Sequence, residues 1–154
     1  MKEFTMLVWP QKNALILKSR APEKILNVIP KAKHFTIKGH SVVAVPHRTE
    51  ETTLLRNLGY DAPAPIRSYY SWPGRFTPFH AQREAAAFLS MNRRAFNLSE
   101  LGTGKSLASL WAYDYLRGIG QMNKCLVISP LSTLERTWAD EIFQHFPHLT
   151  YTVL

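Results

Sequence analysis

The chain has 154 residues, of which 45% are hydrophobic, and 19 basic against 11 acidic residues give it a net charge of +8. This length fits one ordinary domain or two small ones, and the apolar content predicts a packed core. A single cysteine, Cys125, excludes an intramolecular disulfide and a cysteine-based zinc cluster. The chain lacks a bilayer-length apolar run and a secretory signal, so we expect a soluble intracellular protein with a polyanionic partner.

The positive charge is concentrated in the first half of the chain. Residues 1–75 contain twelve basic and five acidic residues, whereas residues 76–154 contain seven and six. This asymmetry predicts two modules with different roles. We place them at residues 1–60 and 76–154, joined by a linker at 61–75.

The first 60 residues predict a small α+β domain with the order β-β-α-β-β-α. Proline, glycine and threonine mark the ends of its elements. In chain order we expect strands at 4–9 and 14–17, a helix from Pro22 to Pro30, strands at 34–38 and 41–45 around a Gly39-His40 turn, and a helix from the N-cap Thr49 to Gly59.

The stretch at 61–75 begins with two prolines and continues with aromatic residues. Pro63 and Pro65 disfavour a helix or a central strand. The aromatic side chains either stack on a nucleic-acid base or pack at the joint between the modules. They are Tyr69, Tyr70, Trp72 and, just beyond the linker, Phe76.

The second module alternates predicted strands and helices, which indicates an α/β domain with a parallel sheet. The expected strands are 95–98, 124–129 and 150–154, with Cys125 in a buried strand. The expected helices are 77–91, 105–117 and 132–146, the last opened by a capping box from Ser132 to Glu135.

One loop in this module carries a phosphate-binding pattern. Residues 99–106 read S-E-L-G-T-G-K-S, which matches G-x-x-x-x-G-K-[ST] except at its first position. Glycines at 102 and 104 let the backbone amides of 102–106, Thr103 included, approach phosphate oxygens. Lys105 would contact the phosphates and Ser106 would coordinate Mg²⁺. The alternative is a chance glycine loop with a surface lysine.

This loop and a second segment together resemble the ATPase core of superfamily 2 helicases, especially the Swi/Snf-type translocases and their phage relatives. Residues 99–106 resemble motif I, and residues 127–134 (V-I-S-P-L-S-T-L), followed by Trp138 and Glu141, resemble motif Ia. The resemblance implies a RecA-like domain that binds ATP and Mg²⁺. It also implies that Pro130, Ser132 and Thr133 contact the nucleic-acid backbone.

The segment at 77–82 (T-P-F-H-A-Q) resembles the adenine-reading motif of the same family, with a longer gap between its proline and glutamine. The resemblance implies that Gln82 hydrogen-bonds the adenine. The alternative is a polar residue on a surface helix.

The family pattern is incomplete in this chain. No D-E-x-[HD] segment follows motif Ia, and the second lobe with its arginine finger is absent. Because phosphoryl transfer needs these groups, we expect the 154 residues alone to be inactive. The missing C-terminal lobe of the same protein is then the expected partner.

The layout of the first module resembles the HARP-type substrate domain of annealing and phage recombination helicases. That resemblance implies binding to duplex, branched or single-stranded DNA. The best contact candidates flank the predicted hairpin: Lys31, Lys33, Lys38 and Arg48. A solvated basic face without a partner is the alternative.

These observations predict an ATP-dependent DNA helicase or translocase of the cytoplasm, in bacteria or phage-infected cells. One alternative is a stand-alone or remnant DNA-binding protein without ATPase activity. Another is a different P-loop ATPase, such as a nucleotide kinase or a DNA packaging motor.

Overall fold

The computed structural model describes residues 6–154, which fall into two units divided between Tyr69 and Tyr70. Residues 4 and 5 of the first predicted strand lie outside the described part. The architecture is α+β, with one small antiparallel sheet and several helices. In residues 6–154, every helix is too short or too polar to cross a membrane.

The first unit contains a four-stranded antiparallel sheet with the strand order β1-β2-β4-β3. A short 3₁₀ helix, Pro10–Lys12, joins the first two strands. The sequence order β-β-α-β-β-α of the prediction is confirmed. The elements are β1 Met6–Trp9, β2 Ala14–Lys18, α1 Pro22–Val28, β3 Lys33–Ile37, β4 His40–Pro46 and α2 Thr49–Asn57, followed by a short α3 at Ile66–Tyr69.

One face of this sheet forms the core of the unit. Register pairs Leu15 with Val45 and Leu17 with Val43, and all four side chains are fully buried. Ile25 of α1 and Leu55 of α2 belong to the same cluster, among other side chains. The helices therefore cover one face of the sheet, as the period-2 alternation of β2 and β4 requires.

Two local predictions in this unit are wrong by one residue. The hairpin turn is Lys38-Gly39, and both residues have positive φ, as a type I′ turn requires. Helix α2 has Arg48 as its N-cap, so Thr49 is the first helical residue.

The stretch predicted as a linker packs closely. Ala62, Ala64 and Ile66 are buried, and Ala62 belongs to the core cluster of the first unit. The buried His47 donates from Nε2 to the Pro63 carbonyl at 2.8 Å, and its Nδ1 accepts from the Tyr69 hydroxyl at 2.9 Å. In the neutral ring, Nε2 is the donor and Nδ1 is the acceptor.

The second unit consists of helices and irregular segments. Its helices are α4 His80–Met91, α5 Lys105–Gly118, α6 Leu131–Thr133, a π-helix Leu134–Ala139 and α7 Asp140–His145. Helices α4 and α5 pack together, with Ala86 and Ala87 buried on α4 and Ala108 and Trp111 buried on α5. Helix α4 starts three residues later than predicted.

The three strands predicted for this unit are not found within the described residues. Segments 95–98, 124–129 and 150–154 have no regular secondary structure. Leu98 and Ile128 are each 90% exposed, and Cys125 is exposed as well. A strand requires a hydrogen-bonded neighbour and a parallel strand requires cover on both faces, and these segments have neither. The structure thus shows no parallel sheet in residues 6–154.

We predict that Leu17→Ala lowers the free energy of unfolding of the first unit by about 2–5 kcal/mol, because it leaves a cavity in the core. Leu7→Ala is the control, since Leu7 is 53% exposed on the neighbouring strand. Denaturant unfolding followed by circular dichroism measures both. Equal losses for the two variants would contradict the assigned core.

We predict a second effect on stability, through pH. Burial lowers the pKa of His47 below its ordinary value of 6.5, opposed by the hydrogen bond to Pro63. The unfolded chain therefore binds the proton more readily, and the first unit loses stability as pH falls below about 6.5. Unfolding midpoints at neutral and mildly acidic pH measure this loss. His47→Asn should flatten the dependence.

Candidate functional site

The loop at 99–106 forms a tight turn that leads directly into α5. Gly102 and Gly104 have φ values of 77° and 71°, in the region that favours glycine. Gly104 is the N-cap of α5. The first helical hydrogen bond runs from the Ala108 N–H to the Gly104 carbonyl, at 3.0 Å. The amides of 105–107 thus belong to the open first turn of the helix.

Lys105 closes this loop on itself. Its ammonium group donates to the carbonyl oxygens of Ser99 and Glu100, each at 2.7 Å. The Thr103 hydroxyl also donates to the Glu100 carbonyl, at 2.8 Å. The positive charge of Lys105 is therefore held over the first two residues of the pattern. These three bonds close the loop between residue 99 and the start of α5.

The start of the loop is anchored by Asn97. The Asn97 side-chain oxygen accepts from the Ser99 backbone N–H at 3.2 Å and from the Ser99 hydroxyl at 2.6 Å. Ser99 therefore has a defined role at the position where the strict pattern has glycine. Its side chain points to Asn97 and its carbonyl accepts from Lys105.

The structure brings Gln82 to the same loop. The Gln82 side-chain oxygen accepts from the Phe79 N–H at 2.9 Å and caps α4. The amide nitrogen of the same side chain lies against Gly104, where a Cβ atom would collide with it. Gln82, predicted to bind adenine, and Gly104, predicted to bind phosphate, are thus in direct contact, although they are 22 positions apart in the sequence. Phe79, beside them, is 77% exposed.

Ser106 is the second residue of α5 and is the sole predicted metal ligand. In residues 6–154, no group of three or more histidine, cysteine, aspartate or glutamate side chains is arranged to hold a metal ion. The donor set fits only a Mg²⁺ that arrives with phosphate oxygens, to which Ser106 would add one hydroxyl.

The motif Ia residues form a separate turn. Pro130 is the N-cap of α6, and Ser132 is exposed within that helix. The Thr133 hydroxyl donates to the Pro130 carbonyl at 2.8 Å and also contacts the Ser129 hydroxyl. The capping box predicted at Ser132 is therefore wrong, because the helix starts one residue earlier and Thr133 makes the local bond.

A cavity of about 540 Å³ lies beside this turn, between α5, the π-helix and the irregular segments 123–127 and 149–154. Leu110, Tyr113, Leu126, Trp138 and Val153 are among its lining residues. None of the residues of the 99–106 loop lines it. The cavity is a packing gap next to segments 124–127 and 149–154, not a continuation of the candidate phosphate site.

The residues predicted to contact DNA in the first unit belong to different elements. Lys33 is on the edge strand β3 and Lys38 is in the hairpin turn. Lys31 lies 3.9 Å from the buried carboxylate of Glu51, and Arg48 precedes α2.

Sequence reasoning missed a hydrogen-bonded group that holds α5. The Tyr70 hydroxyl and His148 Nε2 donate to the two oxygens of Asp114, each at 2.6 Å. Burial, together with the hydrogen bond and charge of Asp114, raises the pKa of Tyr70. Asp114 is 44 residues from Tyr70 and 34 from His148, so no local spacing signals this group.

The aromatic residues of the predicted linker are also engaged. Tyr70 and Trp72 make edge-on contacts with Tyr115 and Trp111 of α5, and the Trp111 ring nitrogen donates to the Pro73 carbonyl at 2.8 Å. These contacts hold the middle and the C-terminal half of α5, away from its N-terminus at Lys105. Tyr70 and Trp72 thus pack within the second unit.

Comparisons with protein-family models, with curated proteins and with solved structures find no match to this chain.

We predict that Gly104→Ala destabilises the second unit more than Gly102→Ala does. Both substitutions strain a positive φ, by about 1 kcal/mol, but only residue 104 also meets Gln82. Gln82→Ala should remove the difference between the two glycine variants. Thermal unfolding of the four single and double variants measures this coupling. A difference that persists without Gln82 would contradict the contact.

Proposed function

We propose that the loop at 99–106 binds the phosphate tail of ATP with Mg²⁺, and that the chain is part of an ATP-dependent DNA helicase or translocase of superfamily 2. One observation carries the proposal: the Lys105 ammonium group bonds the Ser99 and Glu100 carbonyls and so closes a glycine-containing turn at the start of a 14-residue helix, with Gln82 against Gly104.

The phosphate part rests on charge and backbone geometry. The positive end of the α5 dipole and the amides of its first turn lie at the end of the loop, and the Lys105 ammonium group bonds the carbonyls of the residues that open it. Gly102 adds no side chain, and nothing lies within 4 Å of the point where a Cβ would be. A phosphate oxygen bound at this turn would replace its hydrogen bonds to water with hydrogen bonds to backbone amides and to the Lys105 ammonium group.

The adenine part rests on Gln82. Its oxygen is used by the Phe79 N–H, which leaves its amide nitrogen, at Gly104, as the donor available to a base nitrogen. The exposed Phe79 ring supplies an apolar surface beside it. Donor and ring together suit a purine attached to phosphates that sit at 102–106.

The proposal includes binding without turnover by this chain. Asp140 and Glu141 are adjacent carboxylates followed by Ile142 and Phe143, so the last position of the D-E-x-[HD] pattern is not matched. Glu141 also lies 3.6 Å from His145. Hydrolysis would require the C-terminal lobe. In the complete RecA-like domain, segments 95–98, 124–129 and 150–154 would be strands, and their exposed apolar side chains support this interpretation.

In that context Pro130, Ser132 and Thr133 would contact the nucleic-acid backbone from the turn that opens α6. Ser132 is exposed there and Thr133 is held by its bond to Pro130. The proposed place of action is the cytoplasm of a bacterial or phage-infected cell, where ATP and DNA occur together.

A second candidate function is DNA binding without nucleotide. It is favoured by the charge of the first unit, in which the stretches that build the sheet, 6–18 and 31–46, contain lysines and no acidic residue. This function would be independent of the loop at 99–106.

We predict that Lys105→Met weakens binding of a fluorescent ATP analogue with Mg²⁺ by about ten- to a hundredfold, because a charged donor to phosphate is lost. The control is Lys124→Met, at an exposed position outside the loop. Fluorescence titration of both variants with the triphosphate and the monophosphate gives the affinities.

The monophosphate should bind weakly to all three proteins, because it lacks the phosphates that Lys105 contacts. Circular dichroism of Lys105→Met, which should match the parent chain, separates lost charge from lost fold. Equal affinity of Lys105→Met and the parent chain for the triphosphate would reject the role of Lys105.

A further inference from the structure

The face of the first-unit sheet opposite to helices α1 and α2 carries exposed apolar side chains on its two edge strands. Leu7 and Trp9 on β1 are 53% and 46% exposed, and Phe35 and Ile37 on β3 are 46% and 54% exposed. The alternation along each strand places all four on the side away from the core residues Leu15, Leu17, Val43 and Val45. We call this surface the open sheet face.

The two edges of the open sheet face are linked by small or aliphatic residues. Cross-strand register connects Leu7 through Ile16 and Ala44 to Lys33 in one row. A second row connects Lys18 through Val42 to Phe35. Of the central residues, Ile16 and Ala44 are half-buried and Val42 is buried. From the strand spacing and the rise per residue, Trp9 and Phe35 lie about 20 Å apart.

Within positions 6–69, the stretches that build the sheet carry charge of a single sign. The stretches 6–18 and 31–46, which build the sheet and its hairpin turns, contain no acidic residue. The acidic residues among positions 6–69 lie elsewhere: on α1, on α2 and just after α2. The lysines in the sheet stretches are Lys12, Lys18, Lys31, Lys33 and Lys38.

We propose that the open sheet face binds single-stranded nucleic acid, with Trp9 and Phe35 stacking on bases and Lys12, Lys33 and Lys38 contacting phosphates. Exposed rings beside cations on an open sheet match the two needs of a single strand, base stacking and phosphate neutralisation. A duplex hides the faces of its bases, so it would use the lysines alone. A span of about 20 Å suits several nucleotides.

This inference deepens the DNA-binding part of the proposed function and does not depend on the nucleotide loop. It also separates the predicted basic contacts into two groups. Lys33 and Lys38 belong to the sheet and its turn, whereas Lys31 lies beside Glu51 and Arg48 precedes α2. We assign the strand contacts to the first group.

Fluorescence anisotropy of the full chain with a labelled oligodeoxythymidylate of about twelve nucleotides tests the proposal. Trp9→Leu and Phe35→Leu keep an apolar side chain but remove the ring, and each should weaken binding about tenfold. Trp9→Phe keeps a ring and should largely restore affinity. Phe143→Leu is the matched control, since Phe143 is 79% exposed on α7, and it should bind like the parent chain.

The salt dependence tests the lysines separately. Lys33→Gln should lower the slope of log affinity against log salt by about 0.7, as expected for one lost phosphate contact to a single strand. Lys24→Gln, exposed on α1, should not change the slope. A duplex of the same length should be insensitive to Trp9→Leu.

Unchanged affinity of both leucine variants would overturn the proposal, as would equal losses for duplex and single strand. A dimer of the parent chain in sedimentation that Trp9→Leu abolishes, without oligonucleotide binding, would also overturn it and assign the face to a protein contact. Lys105→Met distinguishes this inference from the proposed function: it should bind the oligonucleotide like the parent chain, whether or not it binds ATP.

Discussion

The contact of the Lys105 ammonium group with the carbonyls of Ser99 and Glu100 is the interaction on which the functional account depends. Without it, the segment from 99 to 104 would be a flexible surface loop ahead of an ordinary helix. With it, the loop is a turn closed from residue 105 back to residues 99 and 100. Asn97 fixes one end of the turn, and α5 fixes the other.

The position of α5 is in turn set by groups from distant parts of the second unit. Asp114 accepts hydrogen bonds from Tyr70 and His148, and Trp111 is buried and bonded to Pro73. Helix α4 packs alongside and delivers Gln82 to Gly104. The close packing of α4 on α5 depends on their buried alanines, because larger side chains would hold the helices apart. Residues far from the loop in sequence therefore determine its geometry.

The sequence allowed the first unit to be predicted well, because its signals are local. Alternating apolar residues mark β2 and β4, and Pro22 marks the start of α1. The errors at Lys38-Gly39 and Arg48 are shifts of one residue, which patterns do not resolve since neighbouring residues suit the same turn or cap. The turn at 99–106 and the helix that starts at Lys105 could be predicted because the spacing of glycine, lysine and serine is itself the signal.

The second unit was predicted less well because its outcome depends on non-local partners. The apolar runs at 95–98 and 124–129 have strand composition, yet a strand forms only where another strand pairs with it. The Asp114 group joins residues 34 and 44 positions apart, and the collision of Gln82 with a Cβ at 104 depends on how two helices pack. Such contacts leave no periodic trace in the sequence.

The most direct test of the central claim is the backbone amide spectrum of the isotopically labelled chain during titration with Mg²⁺ and ATP. With Mg²⁺ and ATP, the account predicts saturable chemical-shift changes of the amides of 102–106 and smaller changes at Gln82. With inorganic tripolyphosphate, it predicts the same changes in the loop and none at Gln82. Saturable shifts confined to other residues, or no shifts at all, would contradict the assignment of this turn as a phosphate-binding loop.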